Sequence, residues 1–325
     1  MTLTRRRALG LIGATTLAPA TARAEGFPSR QMRIVVPYPA GGPTDALARM
    51  VAEEMQKDLK QTVIVENRAG ASGAVGSREV ARATPDGHTL VLGNNQTHVT
   101  NAYLLKDPGY DPIADFTPVA GLADLQHALV VRKDLPAKNV QELIALAKKD
   151  PGKLNYGSTG LGSASHLTME LFKNRTGTDM QHVAFRGAAP MALEIIAGRI
   201  DLAFSTLPSV LGQIQGNEMR ALAIASDHKA PQLPDVPLLK DQGVTGSEGD
   251  AWLALFVPTK TPAGTVEILT RTVMEILARP AVRDNAIKQG IAVNIRNSTD
   301  FAAYHKAEMV KWANVIKVAG IPQPT

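Results

Sequence analysis

A regular alternation of short apolar runs with longer amphipathic stretches, which begins at Arg33, is the feature that most constrains the fold. Three apolar runs have the length of β-strands: 34–36, 63–65 and 90–92. Between them, apolar residues recur at steps of three and four, which predicts one helix from about 44 to 59 and a second near 72–83. Strands that alternate with helices are typical of mostly parallel sheets with helices on their faces, so the sequence predicts the α/β class.

The length of the chain and a weak internal sequence repeat, which we call the echo, indicate two lobes. A single core rarely extends past about 250 to 300 residues, and this chain has 325. The segment 128–137 holds an apolar tetrapeptide followed by Pro136, and the same pattern recurs 126 positions later in 254–263. A shared strand–proline–helix unit indicates two similar lobes, although this connection is also common between unrelated elements.

If the echo marks two lobes, the chain crosses between them near 125–130 and again near 250–254. The first lobe is then discontinuous, and the two crossing strands form a hinge. We therefore expect three parts: a leader of residues 1–24, a first lobe of residues 25–126 plus 251–325, and a second lobe of residues 127–250.

Residues 1–24 have the pattern of a secretory signal peptide. Three arginines, Arg5 to Arg7, precede an apolar run of about 11 residues, whereas a helix needs about 20 apolar residues to cross a membrane. The arginines fit a twin-arginine signal, and a general secretion signal fits equally well. With cleavage near Ala24, we expect a soluble periplasmic protein without membrane insertion.

Charge and cysteine content exclude several classes of function. The net charge of +5 arises mainly in the leader, since residues 1–24 hold four arginines and no acidic residue, while the rest holds 31 basic and 30 acidic residues. A nearly neutral body lacks the basic surface that nucleic acid requires. The chain has no cysteine, no Gly-x-Ser-x-Gly, no His-Glu-x-x-His and no Walker loop, so we expect no metal, no cofactor and no enzymatic activity.

The junction after the first predicted strand has the features of an anion site. Gly41 and Gly42 let the backbone approach a ligand closely. Pro43 suits the first position of a helix, and Thr44 and Asp45 are expected to cap its free N–H groups. Such N–H groups attract a carboxylate or phosphate through the helix dipole. A tight turn with a satisfied cap is the alternative that the local pattern leaves open.

The segment 157–165 is a richer candidate. It combines glycines with hydroxyl side chains: Gly157, Ser158, Thr159, Gly160, Gly162, Ser163 and Ser165. N–H and O–H donors set between a strand and a helix form an anion-binding nest. The same residues approach a dinucleotide fingerprint, with Asp179 further on, although Ser165 replaces the third glycine. A secreted dinucleotide-dependent oxidoreductase is the alternative that this loop leaves open.

Further polar side chains follow other predicted strands. Arg186 is the one cation at a third strand–glycine–helix junction. Asn95 and Thr97 follow the run 90–92, and Ser205 follows the apolar residues 202–204. If the strand ends face one another, these side chains converge on one cleft.

Several motifs, taken in order, resemble those of one known family. They are Pro-Tyr-Pro-Ala-Gly-Gly-Pro-Thr-Asp (37–45), Val-Glu-Asn-Arg-Ala-Gly-Ala-Ser-Gly (65–73), Pro-Asp-Gly-His-Thr-Leu (85–90) and Leu-Asn-Tyr-Gly-Ser-Thr-Gly-Leu-Gly-Ser-Ala-Ser-His-Leu (154–167). This series resembles the Bug family, the TctC-like substrate-binding proteins of tripartite tricarboxylate transporters. The likeness extends over essentially the whole mature chain.

The resemblance implies a type II-like periplasmic binding protein that closes on a small carboxylate, with the loops 38–45 and 157–165 as pincers. It implies delivery to membrane permease subunits, with a sensor kinase as the alternative partner, and we expect a monomer. The expected ligand-binding residues are Tyr38, Ala40, Gly41, Gly42, Thr44, Asp45, Asn95, Thr97, Ser158, Thr159, Gly160, Gly162, Ser163, Ser165, Arg186 and Ser205. Asn94, Asn95 and His98 depart from the family pattern, and Ser205 stands where Asp is frequent in the family. The identity of the bound carboxylate is therefore left open.

Overall fold

A computed structural model describes residues 26–321 of the protein, and the predicted leader lies outside the described residues. The first elements are β1 (Met32–Val36), α1 (Pro43–Leu59), β2 (Val63–Asn67), α2 (Ala74–Ala81), β3 (Thr89–Asn94), α3 (Asn101–Leu104) and β4 (Phe116–Leu125). The middle elements are β5 (His127–Arg132), α4 (Val140–Lys149), β6 (Asn155–Ser158), α5 (Ala164–Thr176), β7 (Gln181–Ala184), α6 (Ala188–Ile196), β8 (Leu202–Thr206), α7 (Leu207–Gln215) and β9 (Met219–Ile224). The last are β10 (Ala251–Pro258), α8 (Ala263–Ala278), α9 (Pro280–Lys288), β11 (Ala292–Arg296) and α10 (Ser298–Val318).

Two sheets flanked by helices organise these elements. The strand orders are β11-β4-β10-β3-β1-β2 in the first sheet and β7-β6-β8-β5-β9 in the second. The predicted α/β class is therefore confirmed. We call the first sheet with its helices lobe 1 and the second sheet with its helices lobe 2. All strands before residue 126 and after residue 251 belong to lobe 1, and those between belong to lobe 2.

The first predicted elements agree with the structure. Each of the three apolar runs lies within one of the strands β1, β2 and β3, and the helix expected at 44–59 is α1. The second helix, α2, begins later than expected, because Ala71–Gly73 forms a short 3₁₀ turn in front of it. Gly73 closes this turn with φ +83°, a conformation that favours glycine.

The sheets are mixed because one inner strand of each is reversed relative to the parallel strands, and in the first sheet the edge strand β11 is antiparallel to β4 as well. β10 is antiparallel to β3 and β4, and β5 is antiparallel to β8 and β9. These two strands hold the internal echo. Each comes directly after the chain has changed sheets: β4 ends at Leu125 and β5 begins at His127, while β10 begins at Ala251 and returns to lobe 1.

The first sheet is buried on both faces. On one face, Leu47, Val51 and Met55 of α1 pack in the same core cluster as Ile34 of β1. On the other face, α10 contributes Trp312, which is fully buried as expected for a core residue. Because β1 is covered on both faces of the sheet, its sequence is a nearly continuous apolar run.

The indole groups of this second face share one acceptor. Glu308 is buried, and its carboxylate accepts hydrogen bonds from Nε1 of Trp252 at 3.2 Å and Nε1 of Trp312 at 2.7 Å. Lys311 lies 3.4 Å from the same carboxylate. These bonds join β10 to α10, so the last helix is held to the strand that returns from lobe 2.

Several histidines titrate below their ordinary range because burial disfavours the charged imidazole. The pKa is lowered for His98, His127, His166, His182 and His305. Burial lowers the pKa of His127 to about 4 and, together with the charges of His182 and Lys173, that of His166 to about 3. Asp250 is shifted in the opposite sense: burial, and then the charges of Asp124 and Asp227, raise its pKa to about 7.

We expect the free energy of unfolding to decrease as the pH falls below about 6.5, the ordinary pKa of histidine. The unfolded chain binds protons more readily than the folded protein at the five histidines whose pKa is lowered, and each such group contributes at most about 1.4 kcal/mol per pH unit. Asp250 opposes this trend, since its folded-state pKa exceeds its unfolded value, but it is one group against five. Urea unfolding at several pH values between about 7.5 and 5 measures the trend, and equal stability throughout contradicts it.

Candidate functional site

Two neighbouring strands of lobe 1 send the chain to opposite faces of the sheet, and we call the place between their carboxyl ends the crevice of lobe 1. The loop after β1 leads to α1, whose apolar side packs on the face that holds Ile34. The segment after β3 contributes Val99 and Leu104 to the cluster on the other face, which holds Val35. In open α/β sheets, ligands bind outside the carboxyl ends of strands at such a switch point.

Lobe 2 has an equivalent crevice between β6 and β8. The loop after β6 leads to α5, whose Phe172 packs in one cluster with Leu202. The chain after β8 leads to α7, whose Val210 belongs to the cluster on the opposite face, with Ala203. The loops that diverge here are residues 159–163 and the turn at Thr206. The switch point of each lobe therefore coincides with loops that the sequence analysis selected.

The two crevices face each other, and residues from both lobes touch across them. Thr100 Oγ1 donates a hydrogen bond of 2.8 Å to the carbonyl of Gly162. Leu104 covers Gly162 so closely that a Cβ at this position falls on the Leu104 side chain. Gln96 Nε2 lies 3.5 Å from the carbonyl of Leu161. The segment after β3 thus contacts the predicted pincer loop 157–165, and Gln96 of that segment also lies beside Tyr38 of the other predicted pincer loop.

Amide and hydroxyl groups join the loop after β1 to the segment after β3. The hydroxyl of Tyr38 lies 2.9 Å from Oδ1 of Asn94 and 3.1 Å from Oε1 of Gln96. Burial raises the pKa of Tyr38, so its hydroxyl keeps its proton and can donate to one of these oxygens. Oδ1 of Asn94 also accepts the backbone N–H groups of Gln96 and Thr97.

Asp45 is an internal anchor of the first loop. Its buried carboxylate accepts hydrogen bonds from the N–H of Gly41, from Nε of Arg49 and from Nδ2 of Asn67, each at 3.0 Å. Burial alone would raise the pKa of this carboxyl, but the bonds from Arg49, Gly41 and Asn67 hold it below its ordinary value. Asp45 is therefore ionised and already paired within lobe 1.

The expected capping of α1 by Thr44 and Asp45 is wrong. The helix begins at Pro43 after the N-cap residue Gly42, and no side chain accepts a bond from its first turn. The carboxylate of Asp45 turns back to Gly41 instead. The N–H groups of Thr44 and Asp45 have no carbonyl one turn earlier in the helix, so this end of α1 offers backbone donors.

The hydroxyl groups of the segment 157–165 bind one another and the loop backbone. Ser163 is the N-cap of α5 and accepts the N–H of His166. Oγ of Ser165 accepts the N–H of Thr159 at 3.0 Å and lies 2.9 Å from Oγ of Ser163. Oγ of Ser158 accepts the N–H of Gly160 at 3.2 Å. These hydroxyls therefore shape the loop before any ligand is considered.

Other expected residues have different surroundings. The side chain of Asn95 donates to the carbonyl of Asp250, and Thr97 is fully buried with its hydroxyl between Asn94 and His98. Thr97 supports the segment after β3 from inside lobe 1, and Asn95 ties this segment to the chain crossing at Asp250. Ala40 is exposed at the tip of the first loop.

Arg186 and Ser205 lie in lobe 2 without partners among residues 26–321. The guanidinium of Arg186 is exposed and makes neither a hydrogen bond nor an ion pair there. Ser205 lies in β8 opposite Ala128 of β5, and its buried hydroxyl has no hydrogen-bond partner in the described part. Both are close in sequence to strand ends at the crevice of lobe 2.

Three residues outside the expected set make the contacts with residues 161–162 of lobe 2. Gln96, Thr100 and Leu104 all lie after β3, in a π-helical turn (Gln96–Thr100) and in α3. The sequence signal for Gln96 is its place directly after a strand. Thr100 and Leu104 have no such signal, because their role depends on where Gly162 of the other lobe lies.

Residues 47–321 match the sequence profile of the TctC family, which is described as "Tripartite tricarboxylate transporter family receptor". The chain belongs to this family. The TctC family consists of periplasmic substrate-binding proteins, which in general are not enzymes. The Bug resemblance and the periplasmic-binding-protein architecture are confirmed by relatives of the same kind.

Three relatives illustrate the similarity. Protein BugT of Bordetella pertussis is 31% identical over 322 residues, which is 98% of this chain and 99% of that protein. The structure of R. palustris Rpa4515 with adipate is 34% identical, has a TM-score of 0.87 and covers 92% of this chain and 100% of that one. The structure of MatC (Rpa3494) from Rhodopseudomonas palustris with bound malate is 32% identical, has a TM-score of 0.82 and covers 89% and 100%.

Two further observations concern membrane-spanning helices and metal sites. Within residues 26–321, no helix combines the length and apolar character needed to cross a membrane. The same range holds no group of three or more His, Asp or Glu side chains arranged to bind a metal ion.

We expect Gly162→Val to lower the free energy of unfolding by about 1–3 kcal/mol more than Gly177→Val does. Both glycines have positive φ, +72° and +62°, but Gly177 faces open space whereas Gly162 faces Leu104 of the other lobe. Urea unfolding measures both losses. Leu104→Ala should recover much of the extra loss in the double variant, and strictly additive effects contradict a contact across the crevice.

Proposed function

We propose that the protein is an extracytoplasmic solute-binding protein that captures a small carboxylate by hinge closure and delivers it to a tripartite tricarboxylate transporter. The observation that carries this proposal is the facing pair of switch-point crevices, each bordered by the N-terminus of a long helix. The helices are α1, with 17 residues, and α5, with 13. Backbone N–H groups at such ends favour a negatively charged group.

The donors on the two sides are mostly uncharged. Lobe 1 offers the first-turn N–H groups of α1, and lobe 2 offers the backbone of the segment 157–165. Arg186 is the cation beside this segment that has no partner within residues 26–321. We propose that backbone N–H groups from both lobes clamp one carboxylate, with the set of expected side chains around it.

The relatives favour a carboxylate over a dinucleotide. Rpa4515 is known with adipate and MatC with malate, which are both small dicarboxylates. The segment 157–165 of this protein is also shaped by its own hydroxyls, and Ser165 of that network occupies the place of the third glycine of a dinucleotide fingerprint.

Closure explains how binding is signalled. A ligand between the crevices contacts both lobes only when the lobes are close, so it shifts the population toward that state. Two chain crossings, near Gln126 and Asp250, form the hinge and mark the proposed lobe boundaries. A permease that recognises the closed shape then receives only loaded protein. The proposal includes export through the leader, with cleavage near Ala24.

The first test is thermal unfolding of the mature, refolded protein with adipate, malate and a panel of aliphatic and aromatic mono-, di- and tricarboxylates. Refolding removes any ligand carried through purification. A ligand at 100 times its Kd adds roughly 2.7 kcal/mol to the free energy of unfolding, which gives a clear rise in Tm. Stabilisation by NAD alone supports the oxidoreductase, and no response to any carboxylate contradicts the proposal.

The first loop is tested with Gly41→Val. Gly41 has φ +89° with open space around its Cα, and Gly198 has φ +72° in equally open surroundings on the turn after α6. Both substitutions carry similar backbone strain, but only a side chain at Gly41 obstructs the approach of a ligand to the loop. We expect Gly41→Val to weaken binding of the stabilising carboxylate by about tenfold or more.

The matched control is Gly198→Val, which should leave the affinity unchanged. Titration calorimetry of both variants measures the difference. Equal affinities in both variants would remove the first loop from the site.

The transporter partnership has its own test. Deletion of the coding sequence should abolish uptake of the stabilising carboxylate, and the full-length chain should restore it. Normal uptake in the deletion strain, with loss of a transcriptional response to the same compound, supports the sensor-kinase alternative instead.

A further inference from the structure

Three aromatic rings are stacked directly behind the segment 157–165. The ring of His182, on β7, lies 4.0 Å from the ring of His166, on α5, with an interplanar angle of 16°. On its other side lies Tyr156 of β6, at 4.9 Å and 19°. His166 is buried and His182 is half-buried, so the stack forms a support between the sheet and the loop.

Each histidine reaches the backbone of one loop glycine. Nδ1 of His166 accepts the N–H of Gly162 at 3.1 Å. Nε2 of His182 lies 2.7 Å from Oγ of Ser158, which in turn accepts the N–H of Gly160. One imidazole thus holds a glycine amide directly, and the other does so through a serine.

The bond to Gly162 requires a neutral His166. A proton on Nδ1 would place two donors against each other, so the proton of the neutral ring lies on Nε2. Two imidazolium rings at 4.0 Å would also repel each other. The charged groups that face the pair, Glu170 and Lys173, are both on α5. Burial lowers the pKa of both rings; Glu170 opposes this at His182, and Lys173 adds to it at both rings.

The two glycines need this support because glycine places little restriction of its own on the backbone. Gly160 has φ +137° and Gly162 has φ +72°, and a glycine moves between such conformations and ordinary ones at little cost. A loop that must be ordered on binding loses affinity, whereas a preorganised loop does not. The amide directions of 160–162 therefore depend on groups outside the loop.

We propose that His166 and His182 are positioning residues that hold the backbone of Gly160 and Gly162, and with it the loop in front of α5, in the conformation used for ligand capture. The inference rests on the proposed function of the segment 157–165. Neither histidine has to touch the ligand, since each acts from behind the loop. A core histidine that only fills space would act through its volume, whereas this role depends on an acceptor atom facing Gly162.

Substitutions at His166 separate the acceptor from the volume. Asn supplies an oxygen near the position of Nδ1, while Leu fills the space without an acceptor. With adipate and malate as probes in titration calorimetry at neutral pH, we expect His166→Leu to weaken binding about tenfold or more, because the N–H of Gly162 loses its partner. His166→Asn should stay within about threefold of the unsubstituted protein, since a neutral hydrogen bond is retained.

His228 provides a matched control in lobe 2, because its ring is exposed and has no hydrogen bond within residues 26–321. His228→Leu should leave the affinity unchanged. Similar losses in His166→Leu and His166→Asn, or no loss in either, overturn the proposal. Circular dichroism of each variant verifies that it is folded.

A second measurement needs no ligand. Amide hydrogen exchange of the ligand-free protein should be faster at Gly162 in His166→Leu and faster at Gly160 in His182→Leu, with His228→Leu unchanged. Unchanged exchange at both glycines overturns the inference. If neither adipate nor malate binds the unsubstituted protein, the proposed function loses its support while the exchange experiment still decides the role of the histidines.

Discussion

The reversal of one inner strand in each sheet is the constraint on which the rest of the structure depends. β5 and β10 each run against both neighbours and each receives the chain as it changes sheets. Because both crossings occur at these strands, the lobes are joined side by side at their carboxyl-end edges. The two switch points must then face each other, and the segment after β3 meets the segment 157–165 without any long connection between them.

Given this arrangement, side chains shape the site chiefly by holding backbone groups. Asp45 holds the N–H of Gly41, Ser158 holds that of Gly160, and His166 holds that of Gly162. Glycine gives the backbone access to a ligand but brings freedom that must be removed elsewhere. The hydroxyls of 157–165 are bonded mainly to one another, which gives the loop its shape while leaving the amides of the α5 N-terminus as donors.

Sequence patterns predicted the elements and the loops better than the roles of single side chains. Apolar periodicity located β1 and α1, and the echo located the two reversed strands, since both signals depend on burial along a local segment. The cap of α1 was mispredicted because Asp45 has a better partner in Arg49, one turn along the helix, and in Asn67 of β2. Thr100 and Leu104 could not be found, because contacts between lobes have no local pattern.

An acidic residue beside a proposed carboxylate site is a physical difficulty that the Asp45 network resolves. A free carboxylate there would repel a bound anion, and burial would make the repulsion stronger. The bonds from Arg49, Asn67 and Gly41 spread its charge over three donors and pair it with one guanidinium. The pair is neutral as a unit, so the unfilled N–H groups of α1 dominate the field at the tip of the loop. Asp45 therefore belongs to the support of the loop, and its negative charge is compatible with an anion bound at the helix end.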